Sequence, residues 1–445
     1  MRPNALRLAI LGAAALGLAG TFLIEAPTAA QTPAAGGVTA LMNARVIDGT
    51  GRPAMEKATI VMRDGRIDAV GANPTIPAGA TRVDMAGKTI MPGMINAHGH
   101  AQKGIDPKIP IREDLIRQLR MTANYGVTTV VSLGANKDDE LEQIKLREEQ
   151  KTATTLDRSR VFTSGASVRR FKTAQEARAE TNRVADIKPD IIKLHFDDPP
   201  GNMDAETWGA IVEEAHKRGL RVTPHIFYLR DAKAVVKKGA DVLAHSVRDM
   251  DVDAELIADM KARDVGVIPT LTREVTVFVY ESTPAWFKDP FFLRGMSLFK
   301  EHVDIVSAPE FQQRVRNDKV AQSIKQALVQ AKRNVKIMAD AGIPIAMGTD
   351  GGVPNNMTFG RFLGYLEHME LELLVESGLT PMQALTAATG NGARVMRLDR
   401  IGTLAPGSAA DLLVLDANPL QDIRNTKQIN SVWIAGRRLA ALGTN

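Results

Sequence analysis

The chain has 445 residues, 44% hydrophobic and 24% charged, enough to bury one large core plus a smaller lobe and too apolar for a disordered or fibrous chain. A formal net charge of +5 is spread along the sequence, and no stretch interleaves arginines with aromatics, which argues against a nucleic-acid partner. The absence of cysteine excludes disulfides and a lipidated N-terminal cysteine.

Residues 1–30 read as an export signal. Arg2 and Arg7 precede an almost uncharged run from Leu8 to Ile24, and Ala26-Pro27-Thr28-Ala29-Ala30 offers small residues for cleavage. The mature chain is expected to start near Gln31, with a Pro/Gly/Ala linker over 31–37. The alternative is an uncleaved anchor, because a run of 17 apolar residues is marginally long enough to span a bilayer. No later segment is apolar enough to do so, and the expected product is periplasmic or secreted, off the membrane once the signal is removed.

From 38 to 91 short β-type runs are broken by turns: Ala40 to Ile47, Ala58 to Met62 before Asp64-Gly65, and Ile67 to Val70. The same grammar returns at 396–445, where Asp411 to Asp416 and Ser431 to Gly436 follow Ala405-Pro406-Gly407. Both ends are expected to form one small β-sandwich lobe. Between them, over 92–395, apolar strands alternate with amphipathic helices, the pattern of a parallel sheet wrapped by helices. Eight candidate strands end near His98, Leu133, Ser164, His195, His225, His245, Thr270 and Asp350, with helices including 114–125, 205–218, 231–238 and 254–263. This predicts an α/β chain with a (β/α)8 TIM-like barrel, whose chemistry sits at the carboxyl ends of the strands. Residues 272–342 are too long for a crossover and form an insertion. Eight of the chain's twenty aromatics lie in it, either packing its own small core or lining a substrate pocket.

Residues able to do chemistry cluster at the predicted strand ends. His98 and His100, two apart on the first strand, point the same way and can reach one metal. Lys193 lies inside Asp190-Ile191-Ile192-Lys193-Leu194-His195-Phe196; either its tip snorkels to the barrel mouth, or it is desolvated into a neutral amine able to take up carbon dioxide as a metal-bridging carbamate. His225 and His245 occupy equivalent positions in the repeat, at the ends of consecutive strands, and so face a shared mouth. Asp350 ends the last strand before Gly351-Gly352; it either caps the next helix or completes the His98/His100 site.

With these residues the sequence resembles the amidohydrolase superfamily, particularly the prolidase-like and imidazolonepropionase-like enzymes with two metals bridged by a carboxylated lysine. The likeness rests on Pro92-Gly93-Met94-Ile95-Asn96-Ala97-His98-Gly99-His100, Gly126-Val127-Thr128-Thr129-Val130, Ile192-Lys193, the spacing from His225 to His245, Gly348-Thr349-Asp350, and the tail from Ile401 to Leu412. The resemblance implies that His98, His100 and Asp350 bind a buried metal, His225 and His245 a more exposed one, and carboxylated Lys193 both. Two divalent ions, typically zinc, are implied, with Asp350 moving a proton from the attacking water to the leaving nitrogen of an amide. The chain departs from the prolidase-like pattern at three places: Phe227, with Tyr228 one later, where a tyrosine is common; Val131-Ser132 where Arg-Asp is common; and Ala244 where a glutamate is usual.

A small-molecule substrate is expected, an N-acyl amino acid or dipeptide first, with a lactone, ester or phosphoester as alternatives and a non-catalytic binding protein as the remaining reading. His195, Tyr228, Arg169, Arg170, Arg230 and Arg273 follow strand ends and are candidates for touching it, the arginines by binding a carboxylate. Sequence leaves a homo-oligomer open.

Overall fold

The hairpin signal at Asp64-Gly65 is realised in full. In the computed structural model, which describes residues 37–104, 106–196, 203–352 and 360–440, both turn residues adopt positive φ, 48° and 75°. Such a two-residue turn matches the twist of the strands it joins, β2 (Met55–Arg63) and β3 (Arg66–Gly71), with Arg63 opposite Arg66. β1 (Thr39–Val46) lies beside β2 and pairs in parallel with β4 (Thr81–Asp84) and β5 (Thr89–Pro92). The expected export segment 1–30 and most of the linker after it lie outside the described residues, as does 441–445.

The barrel strands are β6 (Met94–His100), β7 (Val127–Ser132), β8 (Arg160–Thr163) continued by β9 (Val168–Arg169), β10 (Ile192–His195), β11 (Val222–Pro224), β12 (Val242–Ala244) and β13 (Gly266–Ile268). Helices α1 (Ile111–Asn124), α2 (Lys137–Thr152), α3 (Ala174–Asp186), α4 (Ala205–Lys217), α5 (Leu229–Lys238) and α6 (Ala254–Ala262) alternate with them. Every strand pairing here is parallel. The eighth strand is irregular: Ala346 N donates to Val267 O at 2.9 Å, Ala97 N to Met347 O at 2.8 Å, and β14 (Gly351–Gly352) pairs with Gly99 and His100. Those contacts join the last strand to both the seventh and the first, so the sheet closes as a (β/α)8 barrel.

Between β13 and the last strand the insertion folds as α7 (Leu271–Phe278), α8 (Pro290–Leu293), α9 (Met296–Ser307), α10 (Pro309–Asn317) and α11 (Lys319–Asp340). Its aromatics settle the two expectations in favour of a core. Tyr280, Phe287, Phe291, Phe292 and Phe299 are buried together against Tyr125, Phe362 and Tyr365, and the Tyr125 hydroxyl donates to Phe292 O at 2.9 Å. After β14 come α12 (Tyr365–Glu376), α13 (Pro381–Ala387) and α14 (Gly390–Met396). The chain then returns through β15 (Leu412–Leu415), which pairs antiparallel with β5, to β16 (Ile429–Ile434) and β17 (Arg437–Arg438). One sheet is thus built from both chain ends, over a core that includes Leu41, Ile60, Ile90, Leu412 and Trp433. No helix among the described residues is long and apolar enough to cross a membrane.

Candidate metal centre

Because side chains two apart on a strand share a face, β6 aims His98 and His100 into the barrel mouth, where His98 Nε2 lies 3.2 Å and His100 Nε2 2.7 Å from Asp350 Oδ1. His98 also anchors the closing strand, since its carbonyl accepts from Thr349 N at 3.1 Å and Asp350 N at 2.7 Å. Lys193 is 1% exposed, which removes the snorkelling alternative, and its Nζ sits 3.5 Å from His98 Nε2. The His245 ring lies 4.8 Å from that of His98 and 4.4 Å from that of His225, which in turn stacks on His195 at 4.8 Å. All six expected ligand positions therefore meet, and Asp350 takes part in the cluster rather than capping a helix. Ligand atoms of His98, His245 and Asp350 lie within 4.8 Å of one another.

Backbone strain marks the same rim. His245, Thr270 and Asp350 end three consecutive strands with φ of 72°, 52° and 52°, a region uncommon for any residue with a side chain and rarest for a β-branched one. At Thr270 the hydroxyl donates to Pro269 O at 2.7 Å and lies 2.6 Å from His245 Nδ1. With its hydrogen committed, the oxygen accepts from Nδ1–H, leaving His245 Nε2 with a bare lone pair. His100 Nδ1 faces Gly134 O at 3.3 Å and Gln102 Nε2 at 3.4 Å, so its ring is held from both edges, by these groups on one side and Asp350 on the other.

Electrostatics favour the ligand forms. Burial, with Lys193 adding to it, drives the His98 pKa down to about 3 against the pull of Asp350. Burial likewise holds His225 and His245 well below the ordinary histidine range, with His195 adding at His225 and His225 adding at His245. For Asp350, burial alone would raise the pKa, but the Arg361 guanidinium and hydrogen bonds from His100 and His98 keep it well below the usual carboxylate range. Near neutral pH the centre thus offers three uncharged imidazoles and a carboxylate. Among the described residues, the Nδ1 atoms of His98 and His225 are buried with no hydrogen-bond partner. Uncharged buried nitrogens around a carboxylate are a donor set that fits a divalent cation.

The substrate candidates divide. His195 borders the cluster, and Arg169 lies beside it in the β9–β10 ladder. Arg273 Nε approaches Asp350 Oδ2 at 3.8 Å while its Nη1 is paired with Glu274 at 2.9 Å. Tyr228 and Arg230 stay exposed at the start of α5, the guanidinium 4.9 Å over the ring, and Arg170 is exposed as well. Phe227 is covered by the buried Arg248 at 4.5 Å, and Ser132 Oγ is taken by Ala101 N at 3.1 Å and Gln143 Nε2 at 3.2 Å. Sequence reasoning missed Arg361, whose Nη1 donates to Asp350 Oδ2 at 2.6 Å, and Thr270 as a partner of the site. Neither stands in a recognisable motif.

The amidohydrolase family profile matches residues 89–439. The chain belongs to the amidohydrolase family. A 5-methylthioadenosine/S-adenosylhomocysteine deaminase of Nitratidesulfovibrio vulgaris (strain DP4) is 25% identical over 397 residues, spanning 82% of this chain and 80% of its own length. An imidazolonepropionase of Deinococcus deserti is 23% identical over 420 residues, 86% and 92% of the two chains. Among solved structures, a Bifidobacterium longum protein presented as a candidate prolidase superposes with a TM-score of 0.72 at 26% identity, covering 93% of this amidohydrolase and 97% of that chain. Membership of that family supports a hydrolase.

Proposed function

We propose that the protein is a metal-dependent hydrolase that cleaves an amide C–N bond in an N-acyl amino acid or dipeptide-like substrate. The observation that carries this reading is the convergence of His98, His100, Lys193, His225, His245 and Asp350 at the strand ends of one barrel. His98, His100 and Asp350 would hold one divalent ion, His225 and His245 a second, and Lys193, carboxylated by carbon dioxide with release of a proton, would touch both. Such ions, expected to be Zn2+, polarise a carbonyl and bring the pKa of a water near neutrality when bound. Asp350 accepts the proton of the attacking water and delivers it to the leaving nitrogen. Arg361 fixes the plane of that carboxylate by holding Oδ2, so that Oδ1 faces the histidines. The arginine-led, apolar leader at 1–30 supports an exported, periplasmic or secreted location.

Metal analysis of the purified protein, with a panel of N-acyl amino acids, dipeptides and lactones under added Zn2+ and bicarbonate, tests the reading. Bound metal and amide turnover are expected, with Asp350→Ala lowering turnover by about 10²–10⁴-fold. A folded protein that retains no metal, or turnover that survives Asp350→Ala, overturns it. Turnover of lactones alone would move the bond assignment to esters.

A further inference from the structure

Two carboxylates on α12, Glu367 and Glu370, are completely buried, yet neither belongs to the cluster just described. They are three residues apart, so they project from one face of the helix. Each ends a short chain of hydrogen bonds running to the cluster. Glu367 Oε1 accepts from Asn96 Nδ2 at 2.7 Å; the same amide group donates to Thr349 Oγ1 at 2.8 Å, while Asn96 Oδ1 accepts from His98 N at 3.0 Å. The other oxygen, Oε2, accepts from Gly364 N at 2.6 Å, and both oxygens are thereby fixed. Glu370 accepts from Leu271 N at 2.8 Å, Thr272 N at 2.7 Å and Thr272 Oγ1 at 2.8 Å, the first turn of α7 and the residues directly after the strained Thr270. Thr272 Oγ1 also reaches Thr349 O at 3.3 Å.

We infer that α12 is the positioning element of the metal centre, with Glu367 setting the β6 backbone at His98 and Glu370 holding Thr270 in the conformation that orients His245. This rests on the metal-dependent reading above. Its physical basis is that three donors cannot be satisfied by water at 0% exposure, so a carboxylate supplying several lone pairs is the group that lets these strand ends come together dry. The Thr272–Thr349 link extends the same hold to the residue before Asp350. His98, His245 and Asp350, the three groups whose ligand atoms lie within 4.8 Å of one another, are therefore each two hydrogen bonds from this helix, with a peptide link added for His245 and Asp350. An apolar α12 would fill the same volume but leave one Asn96 amide N–H and the α7 amides without these acceptors.

Glu370→Gln and Glu367→Gln keep size and lose one acceptor each, turning an accepting oxygen into an NH2 that confronts an N–H. Zn2+ affinity, read by competition with a chelator on the full chain, is expected to fall about 10–100-fold in either variant. Thr272→Val, which removes only the hydroxyl and leaves the fold's apolar contacts in place, is expected to give a smaller loss in the same direction. Zn2+ affinities equal to wild type in the variants that fold overturn the inference, and Thr272→Val decides it if neither glutamine variant folds. A loss of affinity that merely tracks a lowered unfolding temperature of the metal-free protein also overturns it, because that is a general effect of core damage. A wild-type chain that binds no Zn2+ would instead sink the metal-dependent reading itself.

Discussion

Thr270 combines a β-branched side chain with a φ of 52°, a conformation that costs on the order of 1–3 kcal/mol, and its hydroxyl is tied to both Pro269 O and His245 Nδ1. The strain is accepted where it sets a tautomer. Thr270→Val keeps the branch and deletes the hydroxyl, so His245 loses the acceptor that fixes its Nδ1 proton. Zn2+ affinity is expected to drop about 10–100-fold with the secondary structure intact, checked by chelator competition alongside circular dichroism. An unchanged affinity would show that the ring is held by packing alone. The strand-end histidines and Asp350 were legible from sequence because each terminates a short apolar run. Thr270 was legible as a strand end but not as a partner of the site, since it meets His245 only once β12 and β13 lie side by side, 25 positions apart in the chain. Arg361 was hidden for a similar reason, approaching Asp350 from 11 residues downstream with no regular element to predict its direction. Lys193 stood between two readings until its burial was known, because an apolar strand containing one lysine looks the same whether the tip reaches water or a ligand cluster.

At the scale of elements, the aromatic insertion shows what composition leaves open. Phenylalanines that line a pocket and phenylalanines that fill a core have the same sequence signature, and only their neighbours separate the two. Phe292 is wholly buried, stacked on Phe287 at 5.1 Å and Phe299 at 5.2 Å and edge-on to Phe362 at 5.1 Å. Phe292→Ala is expected to lower stability by about 3–5 kcal/mol in denaturant unfolding while leaving the KM of the amidohydrolase near its wild-type value. A raised KM with little loss of stability would return these side chains to the substrate pocket. Packing also accounts for Gly364, which starts α12 at a φ of 92° with the Tyr125 ring 2.3 Å from where a Cβ would stand. Gly364→Ala therefore meets both a steric and a backbone penalty, together about 2–4 kcal/mol, seen as a lowered unfolding temperature. The alternation of strands and helices in the barrel was readable from periodicity. The irregular eighth strand was read by its end at Asp350, because its closure rests on long-range backbone bonds, Val267 N to Pro344 O and Ala346 N to Val267 O on one side and Ala97 N to Met347 O and Asp350 N to His98 O on the other, that no local pattern encodes.

Across the whole molecule, the two chain ends could be assigned to one lobe from their shared turn grammar, but the join itself, Leu412 opposite Pro92, is a contact over more than three hundred residues that no local pattern encodes. The same long-range folding buries titratable groups of opposite tendency, which sets how stability depends on pH. His368 lies at zero exposure with Nε2 against Tyr125 O at 2.7 Å and Nδ1 against Thr426 Oγ1 at 2.9 Å, and burial drives its pKa to about 3. Unfolded, it titrates near 6.5, so below that pH the unfolded chain binds a proton the folded chain refuses; stability is lost as pH falls from 6.5 toward 3. Glu370 runs the other way: burial raises it to about 7 from 4.5, the folded state holds the extra proton, and stability is lost as pH rises from 4.5 through 7. Between pH 5 and 6.5 each group contributes a slope of up to about 1.4 kcal/mol per pH unit, with opposite signs. Unfolding of chelator-treated protein at pH 5, 6 and 6.5 should therefore show His368→Gln flattening the acid-side loss relative to wild type. Glu370→Gln should steepen that loss, since the fall in stability with rising pH that opposed it is gone. Profiles parallel to wild type in both variants would mean that neither group keeps its buried protonation state in the folded chain.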